Sequence, residues 1–302
     1  MSGAPESSPV ALRGGAGQAV VYPVLFLLLW SSGFAVVKLG LAYAEPLTFL
    51  SLRYACVVAV LLVLVSVMRL PWPRSWPIWR DLCVVGALIQ FGYFAGTYLS
   101  LAWGLSAGAL AVVVSMQPLL VGVLSPALLG ERVGRLQAVG LLLGFAGALI
   151  VILSKSRVEA SSLLGLGAAL VALTGISSGV MYERWRQPSQ HPLMASLVQC
   201  GVGLLLTMPL ALGWETQALS WTPTLLGALA YLVIGNSLVA ISLLLAMARR
   251  QHAARVSALF FMVPPLAALM ATWLLGEVMP TLAWGGMLVA MVGVWLVARQ
   301  AT

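Results

Sequence analysis

The stretch "WSSGFAVVK", from Trp30 to Lys38, decides the fold because the chain repeats its pattern 146 positions later. The second copy is "ISSGVMYER", from Ile176 to Arg184, with the same Ser-Ser-Gly triplet and again a cation five residues after the glycine. One gapless offset running from the first helix to the last indicates an internal duplication. The same shift superposes Pro46 on Pro192, Pro77 on Pro223, Pro118 on Pro264, Gly130-Glu131 on Gly276-Glu277, Gly140 on Gly286 and Gly147 on Gly293.

The composition places both halves in a lipid bilayer. Of the 302 residues, 61% are apolar and 8% are charged, whereas about 25% of the residues in a soluble domain are charged. Apolar runs of about 20 residues, the helix length that crosses a ~30 Å hydrocarbon core, recur along the chain. We predict an all-α membrane protein with ten transmembrane helices, at residues 21–41, 47–68, 82–102, 106–129, 134–153, 162–182, 193–212, 223–247, 254–275 and 280–298.

An odd number of spans in each half makes the repeat inverted, because the second half then enters the membrane from the opposite side. We expect two five-helix repeats, 19–156 and 157–302, in one membrane domain behind a disordered tail, 1–18. Inverted repeats are typical of secondary transporters, which alternate access around a site near the midplane. Because the duplication supplies both halves, a monomer would suffice.

The distribution of cations predicts the orientation. Lys38, Lys155 and Arg157 are the cations of the predicted outer connections. Twelve of the 16 lysines and arginines fall in the segments that are cytoplasmic if both termini are, so the positive-inside rule favours that topology in a bacterial inner (cytoplasmic) membrane. These cations are scattered over short loops, which argues against a nucleic-acid partner. The twelve are Arg13, Arg69, Arg74, Arg80, Arg132, Arg135, Arg184, Arg186, Arg249, Arg250, Arg255 and Arg299.

The motifs resemble those of a known family. "WSSGF" lies in the first span, "LRY" at Leu52 to Tyr54, "GER" at Gly130 to Arg132, and a proline inside the fourth and ninth spans. Together they resemble the EamA-type permeases of the drug/metabolite transporter superfamily, and among these the YddG-type aromatic amino acid exporters. The resemblance implies a cavity lined mainly by the third, fourth, eighth and ninth helices, flanked by the first, second, sixth and seventh.

Polar and aromatic residues at membrane depth are the candidates for lining this cavity. An amide in hydrocarbon needs a partner, so such residues face either a wet cavity or a neighbouring helix, and interhelical hydrogen bonding is the alternative. Pro118 and Pro264 each free a carbonyl four residues earlier and are hinge candidates, with a static kink as the alternative. The candidate lining residues are Trp30, Gln90, Tyr93, Thr97, Gln117, Asn236 and Met262.

Arg53 and Lys38 are the cations within or bordering apolar sequence. Either could capture a substrate carboxylate, whereas the structural alternative for Arg53 is pairing with a helix-end carbonyl or Glu45. Gly276 is expected to end a helix, with Glu277 near the N-terminal end of the following one.

All eight acids fall in loops or at span ends, which predicts no mid-membrane proton relay. The three cysteines have no metal-like spacing, and neither a phosphate loop nor a nucleophile with its base is visible, so we expect no cofactor, metal or enzyme activity. Together with the resemblance, the sequence favours export of small metabolites, most of all aromatic or other hydrophobic amino acids, by alternating access without proton coupling. The alternatives are a sugar-phosphate or nucleotide-sugar exchanger, a drug exporter, and a membrane scaffold or receptor without flux.

Overall fold

The computed structural model is built from helices and describes residues 16–117, 119–121, 135–156, 163–187, 190–240, 242–243, 247 and 262–300. Six of its helices are long and apolar enough to cross a membrane, at Val21–Gly40, Pro46–Val67, Trp76–Ala102, Leu163–Arg186, Pro192–Trp214 and Pro223–Ala240. Among the described residues there is no strand beyond a single antiparallel bridge, so the all-α prediction is confirmed. The helices are α1 (Ala16–Gly40), α2 (Pro46–Val67), α3 (Trp76–Ala102), α4 (Ala107–Ser115), α5 (Arg135–Ser156), α6 (Leu163–Arg186), α7 (Pro192–Trp214), α8 (Pro223–Ala240), α9 (Val263–Leu275) and α10 (Thr281–Gln300).

Repeat-related prolines and one glycine mark the helix ends. Pro46 and Pro192 are the first residues of α2 and α7, where a missing backbone N–H costs nothing. Pro223 likewise begins α8, and the hydroxyl of Thr222 before it accepts a hydrogen bond from the backbone of Leu225 at 3.2 Å. Gly276 ends α9 in the left-handed region, with φ at 65°, so its predicted role is confirmed.

The third helix of each half contains a π-helical segment. In α3 the segment covers Gly86–Tyr93, and in α8 it covers Tyr231–Ala240. Shifted by 146 positions, the first segment falls on residues 232–239, inside the second. A π-helical turn holds more residues than an α-helical turn, and such segments are frequent at functional sites. The structural irregularity has therefore been duplicated together with the sequence.

The two Ser-Ser-Gly notches pack crosswise on these π segments. A Cβ atom added at Gly33 would lie 2.8 Å from Nδ2 of Asn236 in α8, and one added at Gly179 would press on the side chain of Ile89 in α3. Ser31 and Ser177 are completely buried, and among the described residues their hydroxyls have no hydrogen-bond partner. Small size therefore accounts for these residues, as close packing of helices in lipid requires.

Helices α5 and α10, the last of each half, also meet through small residues. A Cβ atom at Gly147 would collide with the backbone of Gly286 and Ala290, and one at Gly293 would collide with the backbone of Gly140 and Gly144. Gly147 and Gly293 are repeat mates. The small residues of both helices thus form one close crossing, as helix packing in lipid favours.

Contacts between connections hold the two halves together at both ends of the bundle. One end contains the α1–α2 connection with Glu45 and the α7–α8 connection with Glu215, and we call it the Glu45 end. There the Glu215 carboxylate accepts hydrogen bonds from the backbone N–H groups of Leu47 and Thr48, at 2.8 and 2.7 Å. At the opposite or Asp81 end, Arg186 Nε lies 3.0 Å from Asp81 Oδ2. Each contact joins the first half to the second. The α1–α2 and α7–α8 connections therefore lie at one end of the bundle, and the start of α3 and the α6–α7 connection lie at the other. An inverted repeat whose helices cross in alternating directions requires this arrangement.

Candidate substrate cavity

A cavity lies between α1, α2, α3 and α8, in the interior of the bundle. It leaves about 20 Å³ for the centres of water molecules, which is room for one or two waters rather than an amino acid. The cavity is therefore too narrow for an amino acid in this conformation. Its lining comprises Trp30, Gly33, Phe34 and Val37 of α1, Arg53 of α2, Tyr93, Phe94, Thr97 and Tyr98 of α3, and Leu232 and Asn236 of α8.

Arg53 supplies the charge in this lining. Its side chain is only 3% exposed, and its guanidinium makes four hydrogen bonds to neutral groups. Nη2 donates to Asn236 Oδ1 at 3.0 Å and to Ser237 Oγ at 2.9 Å, Nε donates to the same Ser237 oxygen at 3.2 Å, and Nη1 donates to the Tyr98 hydroxyl at 3.3 Å. The carbon centre of the guanidinium also lies 4.8 Å from the centroid of the Phe94 ring.

No carboxylate among the described residues lies within ion-pair distance of Arg53. The acidic side chains that form ion pairs in the described part of the chain are Glu277 and Asp81, and their partners are other cations. The alternative partner Glu45 instead accepts hydrogen bonds from Thr216 and the backbone of Ala218, both at 3.1 Å. Neutral acceptors and one aromatic ring therefore hold a buried positive charge at the edge of a cavity.

Asn236 lies between the first Ser-Ser-Gly notch, at Gly33, and the Arg53 guanidinium. Its Nδ2 donates to the backbone oxygen of Leu29 at 3.2 Å, while its Oδ1 accepts from Arg53. Gly33 leaves the room for this amide, because a Cβ atom there would overlap Nδ2. The π segment of α8 thus places an amide between α1 and α2, with each end of the amide bonded to a different helix.

Five of the predicted candidates converge on the cavity: Trp30, Arg53, Tyr93, Thr97 and Asn236. Gln90 is directed elsewhere, because its Oε1 accepts a hydrogen bond from the Tyr54 hydroxyl at 3.1 Å. The prediction placed Gln90, Tyr93 and Thr97 on one face with α-helical spacing. The π segment that ends at Tyr93 changes that spacing and turns Gln90 toward α2 and α7.

The remaining described candidates are not part of the cavity lining. Gln117 is half-buried beyond the end of α4, and Met262 is 45% exposed just before α9. Pro264 is in the first turn of the described part of α9, and Pro118 falls outside the described residues. Lys38 is paired with Glu277, whose carboxylate was expected at the start of the helix after it. Glu277 Oε1 also accepts from the backbone N–H of Ala107 at the start of α4.

Phe94, Tyr98 and Ser237 were not among the predicted candidates, and of the four helices expected to line the cavity, the third and the eighth do so. Contacts of the guanidinium reveal these three residues, and their positions directly after the candidates Tyr93, Thr97 and Asn236 were the available signal. Helices α1 and α2 line the cavity although the resemblance implied that they flank it, and the described residues of α4 and α9 contribute no lining. Among the described residues no group of three or more His, Cys, Asp and Glu side chains could hold a metal ion.

Comparison with known proteins identifies the class of this molecule. The model of the EamA-like transporter family matches twice, over residues 18–153 and 162–299. The chain is 25% identical over 280 residues to the uncharacterized transporter YvbV of Bacillus subtilis, covering 91% of this chain and 90% of that protein. It is 26% identical over 282 residues to a probable amino-acid metabolite efflux pump of Salmonella typhimurium, covering 90% of this chain and 92% of that protein.

A solved crystal structure shares the fold, with a TM-score of 0.63 at 21% identity over 95% of this chain and 97% of that one. These matches define a multi-pass membrane transporter with a duplicated unit rather than an enzyme. The chain belongs to the EamA-like transporter family, and the family resemblance of its motifs is confirmed.

Proposed function

We propose that the protein is a secondary transporter that exports amino acids, with aromatic or other hydrophobic side chains preferred, across a bacterial cytoplasmic membrane. In this proposal ten helices cross the bilayer, both termini are cytoplasmic, and the Glu45 end faces outward. The partners are the small-molecule cargo and the lipid bilayer, and a single chain supplies both halves of the transport unit.

The observation that carries the proposal is the Arg53 guanidinium at the cavity. A buried ion without a counter-ion is costly in a low-dielectric interior. A carboxylate that entered the cavity would supply that counter-ion and could accept hydrogen bonds from the guanidinium in place of its neutral partners. The site therefore favours a cargo that carries a carboxylate over one that is neutral or cationic.

The rest of the cavity suits the apolar part of such a cargo. Trp30, Phe34, Tyr93 and Phe94 contribute aromatic rings around the charge. Aromatic rings stabilise one another in offset or edge-to-face arrangements by about 0.5–1.5 kcal/mol beyond their burial. One cation beside several rings matches a carboxylate attached to a hydrophobic body, which is the general form of a hydrophobic amino acid. The Salmonella relative, a probable amino-acid metabolite efflux pump, agrees with this cargo class.

The alternatives fit the described cavity less well. A sugar phosphate or nucleotide sugar carries at least two negative charges and calls for several cations, whereas Arg53 is the one cation in the described lining. A cationic drug would meet the repulsion of the same guanidinium. A scaffold or receptor without flux would not need two inverted halves around a cavity.

Transport requires this cavity to open, because the present space admits only a water or two. The inverted repeat offers the means, since the two halves can exchange conformations and expose the cavity to each side in turn. No described acid lies on the cavity lining. We therefore propose that the cargo moves down its own concentration gradient, as a safety valve for an accumulating metabolite would.

Purified protein in proteoliposomes tests this proposal. Vesicles loaded with aromatic and aliphatic amino acids, a sugar phosphate, a nucleotide sugar or a cationic dye are diluted, and loss of each compound is followed against protein-free vesicles. The proposal expects protein-dependent loss of the amino acids. Loss confined to the other compounds would favour the corresponding alternative, and no loss of any compound would favour a role without flux.

A further inference from the structure

An ion pair holds the Glu45 end of the bundle together across the two halves. Lys38 Nζ, in the last turn of α1, lies 2.7 Å from Oε1 of Glu277 in the connection between α9 and α10. The same oxygen accepts from the backbone N–H of Ala107 at 3.3 Å, and Lys38 also donates to the backbone oxygen of Leu105 at 3.4 Å. The pair thus joins α1, the first turn of α4 and the α9–α10 connection.

The backbone around Glu277 fixes this carboxylate in place. Gly276, with its φ of 65°, turns the chain back, so that Gly276 N donates to Thr272 O at 3.0 Å and Glu277 N donates to Ala271 O at 3.3 Å. The Glu277 side chain is 9% exposed and that of Lys38 is 28% exposed. Because the carboxylate is mostly buried, separating it from Lys38 would leave a charge with poor solvation, which favours the joined arrangement.

The pair lies next to the cavity along α1. Val37 belongs to the cavity lining, and Lys38 is the next residue toward the Glu45 end. Helix α1 also contributes Trp30 and Phe34 to that lining. Separation of the end of α1 from the α9–α10 connection would therefore move a wall of the cavity at this end.

At the opposite end, the ion pair between the halves is Arg186–Asp81, and the position equivalent to Lys38 carries no ion pair in the described structure. Arg184 occupies the repeat position of Lys38, 146 residues later, and lies at the Asp81 end. It is exposed, and the described residues give it no ion pair or hydrogen bond. Glu131, the repeat mate of Glu277 in the sequence, falls outside the described residues. At the Glu45 end, Lys38, five residues after the first Ser-Ser-Gly notch, is in an ion pair. At the Asp81 end, the equivalent cation Arg184 is unpaired with any described group.

We propose that the Lys38–Glu277 ion pair is a gate, which keeps the Glu45 end closed and breaks when the cavity opens toward that side. The inference rests on the alternating-access part of the proposed function and is independent of which compound is carried. Lys38 thus has a gating role, not the carboxylate capture for which its sequence position also made it a candidate.

Accessibility of a cavity thiol tests the gate. Cys56, Cys83 and Cys200 are replaced by alanine, and Thr97→Cys places a reporter of similar size on the cavity lining. Membrane-impermeant maleimide is then supplied to oriented vesicles from the side of the Glu45 end or from the other side. We expect K38Q and E277Q each to raise the labelling rate from the Glu45 side several-fold, and the charge swap K38E/E277K to return it toward the parent rate.

Two controls separate gating from general loosening. Ala218→Cys, an exposed reporter at the Glu45 end, should react equally in all variants, and R184Q removes the repeat-equivalent cation without speeding Thr97→Cys labelling from that side. Equal labelling rates in the parent and both single variants would overturn the gate. So would a swap variant that labels as fast as the single variants, or an increase from both sides at once. None of these readouts depends on transport, so a wrong cargo assignment would leave the result intact.

Discussion

The Nη2 atom of Arg53 lies 3.0 Å from Oδ1 of Asn236, and this hydrogen bond joins the two halves of the protein. Arg53 belongs to α2 of the first half, and Asn236 belongs to the π segment of α8 in the second. The orientation of this cavity cation is therefore set by both repeats. A rearrangement of the two halves would change the groups that hold this guanidinium, which couples cargo recognition to conformation.

Removing the Arg53 charge should abolish recognition of the carboxylate. We expect R53Q to weaken the apparent affinity for an amino acid by about 10- to 150-fold, since a hydrogen bond to a charged group contributes ~1.5–3 kcal/mol. R53K keeps the charge but loses the planar fork, so it should fall between R53Q and the wild type. Competition of unlabelled substrate against efflux of a labelled amino acid in proteoliposomes measures the affinity.

Comparing an amino acid with its amide as competitors is the control for this experiment. An amino-acid amide lacks the carboxylate, so it should compete poorly in the wild type and about as well as the acid in R53Q. If R53Q and the wild type discriminate equally between acid and amide, Arg53 does not bind the carboxylate and its role is structural.

A single methyl group at the first notch should disturb the site without unfolding the protein. In G33A the new Cβ would lie 2.8 Å from Asn236 Nδ2 and displace the amide that holds Arg53. We expect weaker substrate affinity with a small change in thermal stability. G227A is the matched control, since a Cβ there meets nothing within 4 Å. Equal affinities in the two variants would show that the fit of Gly33 against Asn236 is unimportant for transport.

Much of this site could be predicted from the sequence because the duplication acts as an internal comparison. The offset drew attention to Gly33 and Gly276, and in the structure Gly33 meets Asn236 and Gly276 ends its helix. Arg53 stood out as a cation inside an apolar run. Trp30 stood out in the same way, as a large aromatic residue near the middle of a span.

The missed features depend on tertiary contacts. A π segment adds no recognisable residue pattern, so the rotation of Gln90 toward Tyr54 could not be read from the spacing. The Lys38–Glu277 pair joins residues 239 positions apart, and neither its distance nor its partner follows from local sequence. Phe94 and Tyr98 resemble ordinary membrane-helix residues until the position of the guanidinium is known.

Stability should depend on the glycines that meet backbone. In G175A the Cβ would lie 2.7 Å from Tyr93 N and 2.8 Å from Leu88 O in the π segment of α3. Backbone cannot move aside easily, so we expect destabilisation of about 1–3 kcal/mol. G167A on the same helix meets nothing within 4 Å and should be neutral or stabilising by up to ~1 kcal/mol. Thermal unfolding in detergent compares the two, and equal melting temperatures would contradict the close approach of α6 to α3.

The hinge role of the two prolines is a separate prediction. P118A and P264A each restore a backbone N–H, so a bend at these positions should straighten and turnover should slow, while membrane insertion is preserved. The maximal rate of efflux should therefore fall more than the affinity changes. Unchanged rates in both single variants and in the double variant would remove the hinge role and leave a static structural one.

The most direct test of the central claim is amino-acid efflux from proteoliposomes with and without an imposed pH gradient, at constant membrane potential. We predict that a loaded aromatic amino acid leaves at the same protein-dependent rate in both conditions, because no described acid lines the cavity, and that it never accumulates against its own gradient. A pH gradient that drives the amino acid uphill, or the absence of any protein-dependent efflux, would contradict the account.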